Sequence, residues 1–354
     1  MVTTVRRSLL LLGFCALLAA CGGSSKSSSS TTTAAATSLK VGLVTDIGGL
    51  NDRGFNQLSY QGLQRAEKQL GVKGRVLLSK SNADYVPNLS TLAKQHYDLV
   101  VAVGFLMTDA VDTVAQKFPQ THFAIIDVDQ ASLPHKPKNV EGLLFREQQG
   151  GYLIGYLAGL VVKGHVAAPG GSSGGKPVVG VVGGQSIPPV NRFAAGYEAG
   201  AKAADPGITV KLDYSQDFVD QGKCKEIALN QIAAGAKVIF ADAGACGLGA
   251  LDAAKEQHVW GLGGDADESY LGPHILSSEL KKVDVAVYKT IQAVKSKAFK
   301  GGTDAYFDVQ NGGVGIGKIS PKVPQSIVAK VQAAKQKIGS GKIANIPTTP
   351  TAKS

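Results

Sequence analysis

From Leu39 onward, short apolar runs rich in β-branched residues alternate with helical patterns. Two parallel strands need a long crossover connection, which is usually a helix, so this alternation predicts a mostly parallel sheet with helices on both faces. In the first half of the chain the strand-like runs are 40–44, 75–78, 99–103 and 123–126, and the helical patterns are 57–70, 88–95 and 107–117.

The alternation returns after a tyrosine- and leucine-rich helical pattern at 150–163. The chain has 354 residues, which is more than one hydrophobic core usually serves. We therefore predict an α/β protein with two doubly wound parallel-sheet domains. The predicted ranges are 39–148 plus 275–304 for the N-terminal lobe, 149–274 plus 305–345 for the C-terminal lobe, and 347–354 for a frayed tail.

The first 20 residues have the pattern of an export signal. Arg6 and Arg7 precede an apolar run at 8–20 that is too short to span a bilayer. The run ends in Leu18-Ala19-Ala20-Cys21, which resembles a bacterial lipobox and implies lipidation of Cys21. Residues 21–38 are mostly Gly, Ser, Thr and Ala and predict a flexible tether. The alternative is a plain signal peptide with a coincidental cysteine.

The chain is basic, with 37 Lys and Arg against 27 Asp and Glu and a net charge of +10. Its lysines are scattered and form no basic stripe, and the predicted location is extracytoplasmic, so nucleic acid is not an expected partner. A solvated basic surface near an anionic membrane explains the charge better.

Four cysteines are present, and two of them fall in the export signal and at the lipidation site. The other two, Cys224 and Cys246, form an even pair in an oxidising compartment. Cys224 begins a predicted helix, and Cys246 follows the strand-like run 238–241. We predict a disulfide between them. Two buried thiols are the alternative.

Enzyme signatures are weak in this chain. The glycine-rich stretch 312–318 is followed by Ile319 where a phosphate-binding loop needs Ser or Thr, and the stretch 170–176 is followed by Pro177. The six histidines show no zinc-like spacing. Gly-x-Ser-x-Gly occurs only inside the glycine-rich stretch 170–176, and no predicted strand precedes it, as a nucleophile elbow would require. We therefore expect neither catalysis nor a metal or cofactor.

Aspartates recur where predicted strands end. They are Asp46, Asp127, Asp242 and Asp265. Ligands of open parallel sheets bind outside the carboxyl ends of the strands, so these loops would line a cleft between the two lobes. A cleft rich in acceptors disfavours phosphates and suits hydroxyl and amine donors, such as a cis-diol. Each aspartate taken alone could equally be a helix cap or a turn residue.

Aromatic rings fall at loop or helix-start positions in the same regions. They are Phe55, Phe105, Phe193 and Phe218, and each could stack on a flat base or simply belong to the core. Asn56 could pair with a base edge, because an amide offers both a donor and an acceptor. Together, the rings and carboxylates indicate a site for a base attached to a ribose.

Several motifs together resemble the basic membrane protein family of ABC-transporter substrate-binding lipoproteins, which includes purine nucleoside receptors. They are Asp46-x-Gly-x-x-x-Asp52-Arg-Gly-Phe-Asn56, Phe123-Ala-Ile-Ile-Asp127, Glu141-Gly-Leu-Leu-Phe-Arg-Glu147, Gly150-Gly-Tyr-Leu-Ile-Gly-Tyr-Leu-Ala158, Gly180-Val-Val-Gly-Gly184, Asn191-Arg-Phe193 and Ser277-Ser-Glu-Leu-Lys281. The resemblance covers about residues 39–338. It implies a type I periplasmic-binding-protein fold with a hinged cleft.

The resemblance also implies roles for single residues. Asp46 and Asn56 would hold the base edge, with Phe55 and either Phe218 or Phe193 stacking on it. Asp127 would bond deep in the site, and Asp265 with Lys281 would hold the ribose. Two positions depart from the family pattern, since Glu268 replaces a glutamine and Gly54 replaces a serine.

The expected function is therefore a monomeric, membrane-anchored receptor that captures purine nucleosides and delivers them to an ABC permease. A sugar receptor or a nucleoside sensor of the same fold is an alternative. A nucleoside hydrolase that uses the carboxylate cluster is a third reading.

Overall fold

The computed structural model describes residues 38–352. The predicted signal, most of the tether and Cys21 lie outside the described residues. The strands are β1 (Lys40–Val44), β2 (Lys73–Leu77), β3 (Leu99–Ala102), β4 (His122–Ile126), β5 (Val140–Phe145), β6 (Val178–Gly183), β7 (Thr209–Tyr214), β8 (Ala236–Asp242), β9 (Trp260–Gly263), β10 (Ile275–Lys281), β11 (Thr303–Phe307) and β12 (Val314–Ile316). The helices are α1 (Phe55–Leu70), α2 (Tyr85–Lys94), α3 (Thr108–Lys117), α4 (Glu147–Lys163), α5 (Pro188–Ala204), α6 (Gln221–Ala233), α7 (Gly244–Glu256), α8 (Val283–Lys295) and α9 (Gln325–Gly339).

Two six-stranded sheets form the two lobes. The first has the order β11-β5-β4-β3-β1-β2, and its strands all run parallel. The second has the order β12-β10-β9-β8-β6-β7 and is parallel except for β12, which pairs antiparallel with β10. Central strands such as β3 and β6 are fully buried and mostly apolar, because helices cover both faces of each sheet. The predicted α/β architecture of two doubly wound parallel sheets is confirmed.

The chain passes between the lobes after β5, after β10 and after β11. The segment 275–304, expected in the first lobe, is divided: β10 pairs with β9 and β12 in the second sheet. Helix α8 packs on α1 of the first lobe, and β11 pairs with β5 as far as Phe307. The lobe boundaries therefore lie at about 282 and 308 rather than at 275 and 305. Backbone hydrogen bonds connect the crossing segments to one another, for example from the Arg146 N–H to the Phe307 carbonyl oxygen at 2.8 Å.

Helices α4 and α5 pack with their backbones in contact. A Cβ atom added at Gly155 would lie 2.0 Å from the Tyr197 carbonyl oxygen, and a Cβ atom added at Gly196 would lie 2.1 Å from the Gln148 carbonyl oxygen. Only glycine permits this approach. The helix pair therefore fixes the start of α4, which carries buried charged residues to the cleft.

The C-terminal segment is docked on the second lobe rather than frayed as the sequence suggests. Glu198 of α5 accepts bonds from the backbone N–H groups of Thr351 and Ala352, at 2.7 Å and 3.0 Å, and from the Thr351 hydroxyl. Glu198 is 5% exposed, and the Lys202 ammonium and Thr351 bonds lower its pKa to about 2 although burial opposes them. A buried carboxylate with this many donors holds the segment in place.

The structure joins Cys224 of α6 to Cys246 of α7 in a disulfide, with 5.6 Å between their Cα atoms. We expect both cysteines to resist alkylation until the protein is reduced. We expect Cys224→Ser with Cys246→Ser to lower the free energy of unfolding by about 3 kcal/mol, because the 22-residue loop is then free in the unfolded chain. Denaturant melts of the oxidised protein, the reduced protein and the double variant provide the measurement. Alkylation without reduction would contradict the bond.

Candidate ligand-binding cleft

All eight side chains that the sequence predicts as ligand contacts line one cleft between the lobes. The cleft encloses about 590 Å³, including the part open to solvent, which is within the usual range for small-molecule sites. The predicted residues are Asp46, Phe55, Asn56, Asp127, Phe193, Phe218, Asp265 and Lys281. They come from the carboxyl ends of strands in both sheets, from the loops that follow these strands, and from the helices that follow the loops.

The loop after β1 is shaped by Asp52. Its carboxylate accepts bonds from the backbone N–H groups of Gly54, Asn56 and Gln57 at 3.1, 2.6 and 3.0 Å. These groups belong to the first turn of α1, where N–H groups lack partners within the helix and the helix dipole favours negative charge. Asp52 therefore fixes the start of α1, and with it the direction of Phe55 and Asn56.

Asn56 is engaged with Asp46 at both ends of its amide. Its Nδ2 donates to Asp46 Oδ1 at 2.6 Å, and its Oδ1 accepts from the Asp46 backbone N–H at 3.2 Å. Asn56 is 2% exposed. Burial raises the pKa of Asp46 well above its usual range, although the Asn56 bond opposes the rise. Asn56 thus orients Asp46, whose other oxygen faces Gly104.

Lys281, at the end of β10, is the centre of a buried charge cluster. Its Nζ donates to Asp127 Oδ2 at 2.7 Å and to Glu147 Oε1 at 3.1 Å, and the side chain is 2% exposed. Arg192 donates to Glu147 from Nε at 2.6 Å and from Nη2 at 3.4 Å. Burial would lower the pKa of Lys281, but the two carboxylates outweigh it and raise the pKa. Lys281 is therefore a fixed cation with one donor left for the cleft.

Asp127 lies in the left-handed region with φ of 69°. Burial raises its pKa to about 6 against the attraction of Lys281, so the group is ionised at neutral pH. Its Oδ1 is buried and has no hydrogen-bond partner in the described part of the chain. A buried acceptor without a partner costs free energy. Asp127 is thus an unused acceptor at the bottom of the cleft.

Two further carboxylates lie on the second lobe. Burial raises the pKa of Asp265 to about 7, although the Lys281 ammonium opposes the rise. Burial also raises the pKa of Asp242 well above its usual range, and the charge of Asp265 adds to this. Asp265 faces the first lobe closely, because a side chain at Gly54 would begin 3.4 Å from Asp265 Oδ2.

Aromatic rings line the cleft from both lobes. Phe55 is half-buried and lies against Gly104, where a side chain would begin 3.0 Å from the ring. Phe218 is half-buried and covers Gly184 in the second lobe. Phe193 is only 3% exposed and meets Phe240 edge-on, with 6.5 Å between ring centroids. Phe105, which follows β3 of the first lobe, is also half-buried and lines the cleft. The accessible rings are thus Phe55 and Phe105 on the first lobe and Phe218 on the second.

Four residues of the site were not assigned a role from the sequence. They are Asp52, Glu147, Arg192 and Asp242. Asp242 was recognisable as an acid at a strand end, and Glu147 and Arg192 lie within the quoted motifs. Their pairing was not recognisable, because it depends on the packing of α4 against α5.

The raised carboxyl pKa values predict that the unliganded protein becomes more stable as the pH falls from 8 to 5. Asp127, Asp265 and Glu268 have pKa values raised by burial to about 6, 7 and 8. In this window the folded state holds protons that the unfolded chain has released, so each proton adds at most about 1.4 kcal/mol per pH unit. Burial lowers the pKa values of His122 and His274, and this opposes part of the gain below about pH 6.5. The lowered pKa values of Glu198 and Asp217, both about 2, cost stability only below about pH 4.5.

Thermal melts of the ligand-free protein across this window provide the test. Asp265→Asn should flatten the slope, because the amide does not titrate. A melting temperature that is constant or falls between pH 8 and pH 5 would contradict the assignment of these groups.

A family model described as "ABC transporter substrate-binding protein PnrA-like", the Bmp family, matches residues 39–348. The chain belongs to the Bmp family. Its members are substrate-binding proteins of ABC transporters and not enzymes, so the resemblance seen in the sequence is confirmed. As a Bmp-family protein, the chain binds a small-molecule ligand and permease components.

Individual relatives agree with this assignment. The "ABC transporter nucleoside-binding protein BmpA" of Lactococcus lactis subsp. cremoris is 32% identical over 329 residues, covering 87% of this chain and 89% of the relative. The "Uncharacterized lipoprotein PH1714" of Pyrococcus horikoshii is 38% identical over 277 residues, covering 75% of this chain and 65% of the relative. A crystal structure of an ABC-transporter solute-binding protein from Aeropyrum pernix K1 superposes with a TM-score of 0.77 at 27% identity, covering 87% of this chain and 94% of that one.

Two features are absent from the described residues of this Bmp-family protein. Within residues 38–352, no three or more His, Cys, Asp or Glu side chains are grouped so that they could hold a metal ion. Among the same residues, none of the helices is both long and apolar enough to cross a bilayer.

Proposed function

We propose that this chain is an extracytoplasmic receptor that binds purine nucleosides in the cleft between its lobes and delivers them to an ABC permease. The observation that carries the proposal is the composition of the cleft. Half-buried rings, Phe55 and Phe218, lie on opposite lobes. Two buried carboxylate oxygens of the cleft, Asp127 Oδ1 and Asp242 Oδ2, have no hydrogen-bond partner among the described residues. A flat base with an attached diol satisfies both features, whereas a free sugar would need less aromatic surface.

The base would lie between Phe55 and Phe218 and bond to Asp46. Asn56 would act by holding Asp46, since both ends of its amide are already engaged. The Asp46 oxygen that does not bond to Asn56 would accept from an N–H group of the base. Phe193 would support the stack from the core, because it is almost fully buried.

The ribose would lie against Asp265 and the free donor of Lys281. An ionised Asp265 accepts from both hydroxyls of a cis-diol, and such charge-assisted bonds are about twice as strong as neutral ones. Asp127 Oδ1 offers a further buried acceptor that a hydroxyl donor would satisfy. The cluster around Lys281 would thus arrange the acceptors before the ligand arrives.

The receptor would be a monomer held at the membrane through a lipid on Cys21. The lipobox-like motif and the tether of residues 21–38 support this location. The Pyrococcus horikoshii relative carries the name lipoprotein, which is consistent with the same arrangement here. Delivery to permease subunits would then take place at the membrane surface.

Mass spectrometry of the ligand that co-purifies with residues 39–354 tests the proposed function. We expect a purine nucleoside, released on unfolding. A free sugar at full occupancy would favour the sugar-receptor reading and contradict ours. Incubation with inosine should return intact inosine, and release of free base would show hydrolase activity instead.

A further inference from the structure

A second cavity lies in the second lobe, at the opposite edge of the sheet from the ligand cleft. It borders the amino ends of β6, β8 and β9, and it encloses about 740 Å³, including open space. Trp260 forms part of its floor, with the indole N–H donating to the Val166 carbonyl at 2.9 Å. This cavity therefore shares neither its lining nor its strand ends with the cleft.

The glycine-rich loop at residues 170–176 forms one wall of this cavity. Its sequence resembles a phosphate-binding loop, but β6 follows it where such a loop needs a helix. Gly170 and Gly175 have φ of 77° and 109°, which favour glycine. A Cβ atom at Gly175 would lie 3.6 Å from Lys237 Nζ, so the ammonium lies close to the loop backbone. His165 Nδ1 lies 3.1 Å from the Ser173 carbonyl and ties the loop to the end of α4.

The charges that line this cavity are mainly positive. Lys163, Lys176 and Lys237 face a single carboxylate, Asp205. None of the three lysines appears among the ion pairs within residues 38–352. Lys163 Nζ is held by the Ala204 carbonyl at 3.1 Å. The ligand cleft has the reverse balance, with five aspartates and one lysine. The two cavities therefore suit ligands of opposite charge.

We propose that this second cavity binds a phosphate group. Lys176 would contact its oxygens from the end of the glycine-rich loop, Lys237 from the start of β8, and Lys163 from the end of α4. Lysine is a common phosphate ligand, and exposed glycine N–H groups can add bonds to the same oxygens. The group could belong to free phosphate or to the headgroup of an anionic phospholipid, and these two sources can be separated by experiment.

Residues 38–352 form one compact unit, so a protein that lacks the signal and the tether is suitable for the test. Equilibrium dialysis with radiolabelled inorganic phosphate, at constant ionic strength set with chloride, measures binding of the free ion. Lys176→Met with Lys237→Met should weaken it about tenfold or more, since each bond to a charged group is worth about one such factor. Lys342→Met, at an exposed lysine outside the cavity, should leave it unchanged. Asp265→Asn should also leave it unchanged, which separates this proposal from nucleoside binding.

Co-sedimentation with phosphatidylglycerol vesicles, against phosphatidylcholine vesicles, tests the headgroup source. Phosphate binding that the double variant loses supports a free-ion site. If the wild type sediments with anionic vesicles, the double variant does not, and neither binds the free ion, the site binds a headgroup. Binding that is equal in the wild type and the double variant, or absent with both probes, would overturn the proposal.

Discussion

Asp265→Asn should weaken nucleoside binding by about 3 kcal/mol, which is roughly a hundredfold loss of affinity. The amide can no longer accept two charge-assisted bonds from the ribose hydroxyls, and the closed cleft leaves one of these donors unpaired. Asparagine is the better replacement than alanine, because Asp265 has φ of 61° and asparagine tolerates this region. Calorimetric titration with inosine or adenosine measures the loss.

The control for this variant is thermal stability. Asp265 lies at the cleft, and removing its charge from a group of carboxylates should not lower the melting temperature of the unliganded protein. A 2′,3′-dideoxynucleoside should bind the wild type as poorly as the natural ligand binds the variant. Unchanged affinity together with a clearly lower melting temperature would make Asp265 a turn residue and defeat the assignment.

Lys281→Met should lower the free energy of unfolding by about 3 to 5 kcal/mol. The substitution leaves Asp127 without its cation in a site where the Lys281 side chain is 2% and the Asp127 side chain 4% exposed. Glu147 keeps Arg192 at 2.6 Å and is therefore the less affected partner. Chemical denaturation with a two-state fit provides the measurement.

Lys225→Met is the matched control for this variant. Lys225 pairs with Glu256 at 2.7 Å, the same distance as Lys281 to Asp127, but both side chains of the Lys225–Glu256 pair are exposed. The exposed pair should contribute little, because water screens it. Adding Asp127→Asn to Lys281→Met should recover part of the lost stability by removing the unpaired charge. Equal effects of the two lysine substitutions would contradict the description of a buried cluster.

Local patterns were sufficient to predict both sheets and the position of the cleft. Buried parallel strands read as continuous apolar runs, and their carboxyl-end loops are where ligands bind whatever the strand order. The placement of β10 was not predictable, because its partners β9 and β12 are decided by pairing between distant segments. A strand-like run gives no local sign of which sheet it joins.

The finer arrangement of the site was less predictable for the same reason. The sequence predicts that the Asn56 amide bonds to a base edge. In the structure, the fold of the β1–α1 loop brings Asp46 close to Asn56, and both the oxygen and the nitrogen of the amide bond to Asp46. The docked C-terminal segment depends on Glu198, which is 153 positions from Thr351. Such contacts come from packing, and neither spacing nor composition encodes them.

Calorimetric titration of residues 39–354 with adenosine, inosine, ribose and the free bases tests the central claim most directly. The account predicts saturable one-site binding of a purine nucleoside, with ribose and the free base each bound far more weakly. This result is expected because, in the proposed site, the accessible rings would stack on the base and Asp265 would bond to the ribose of one ligand. Tight binding of ribose or another free sugar, with no response to any nucleoside, would contradict the account.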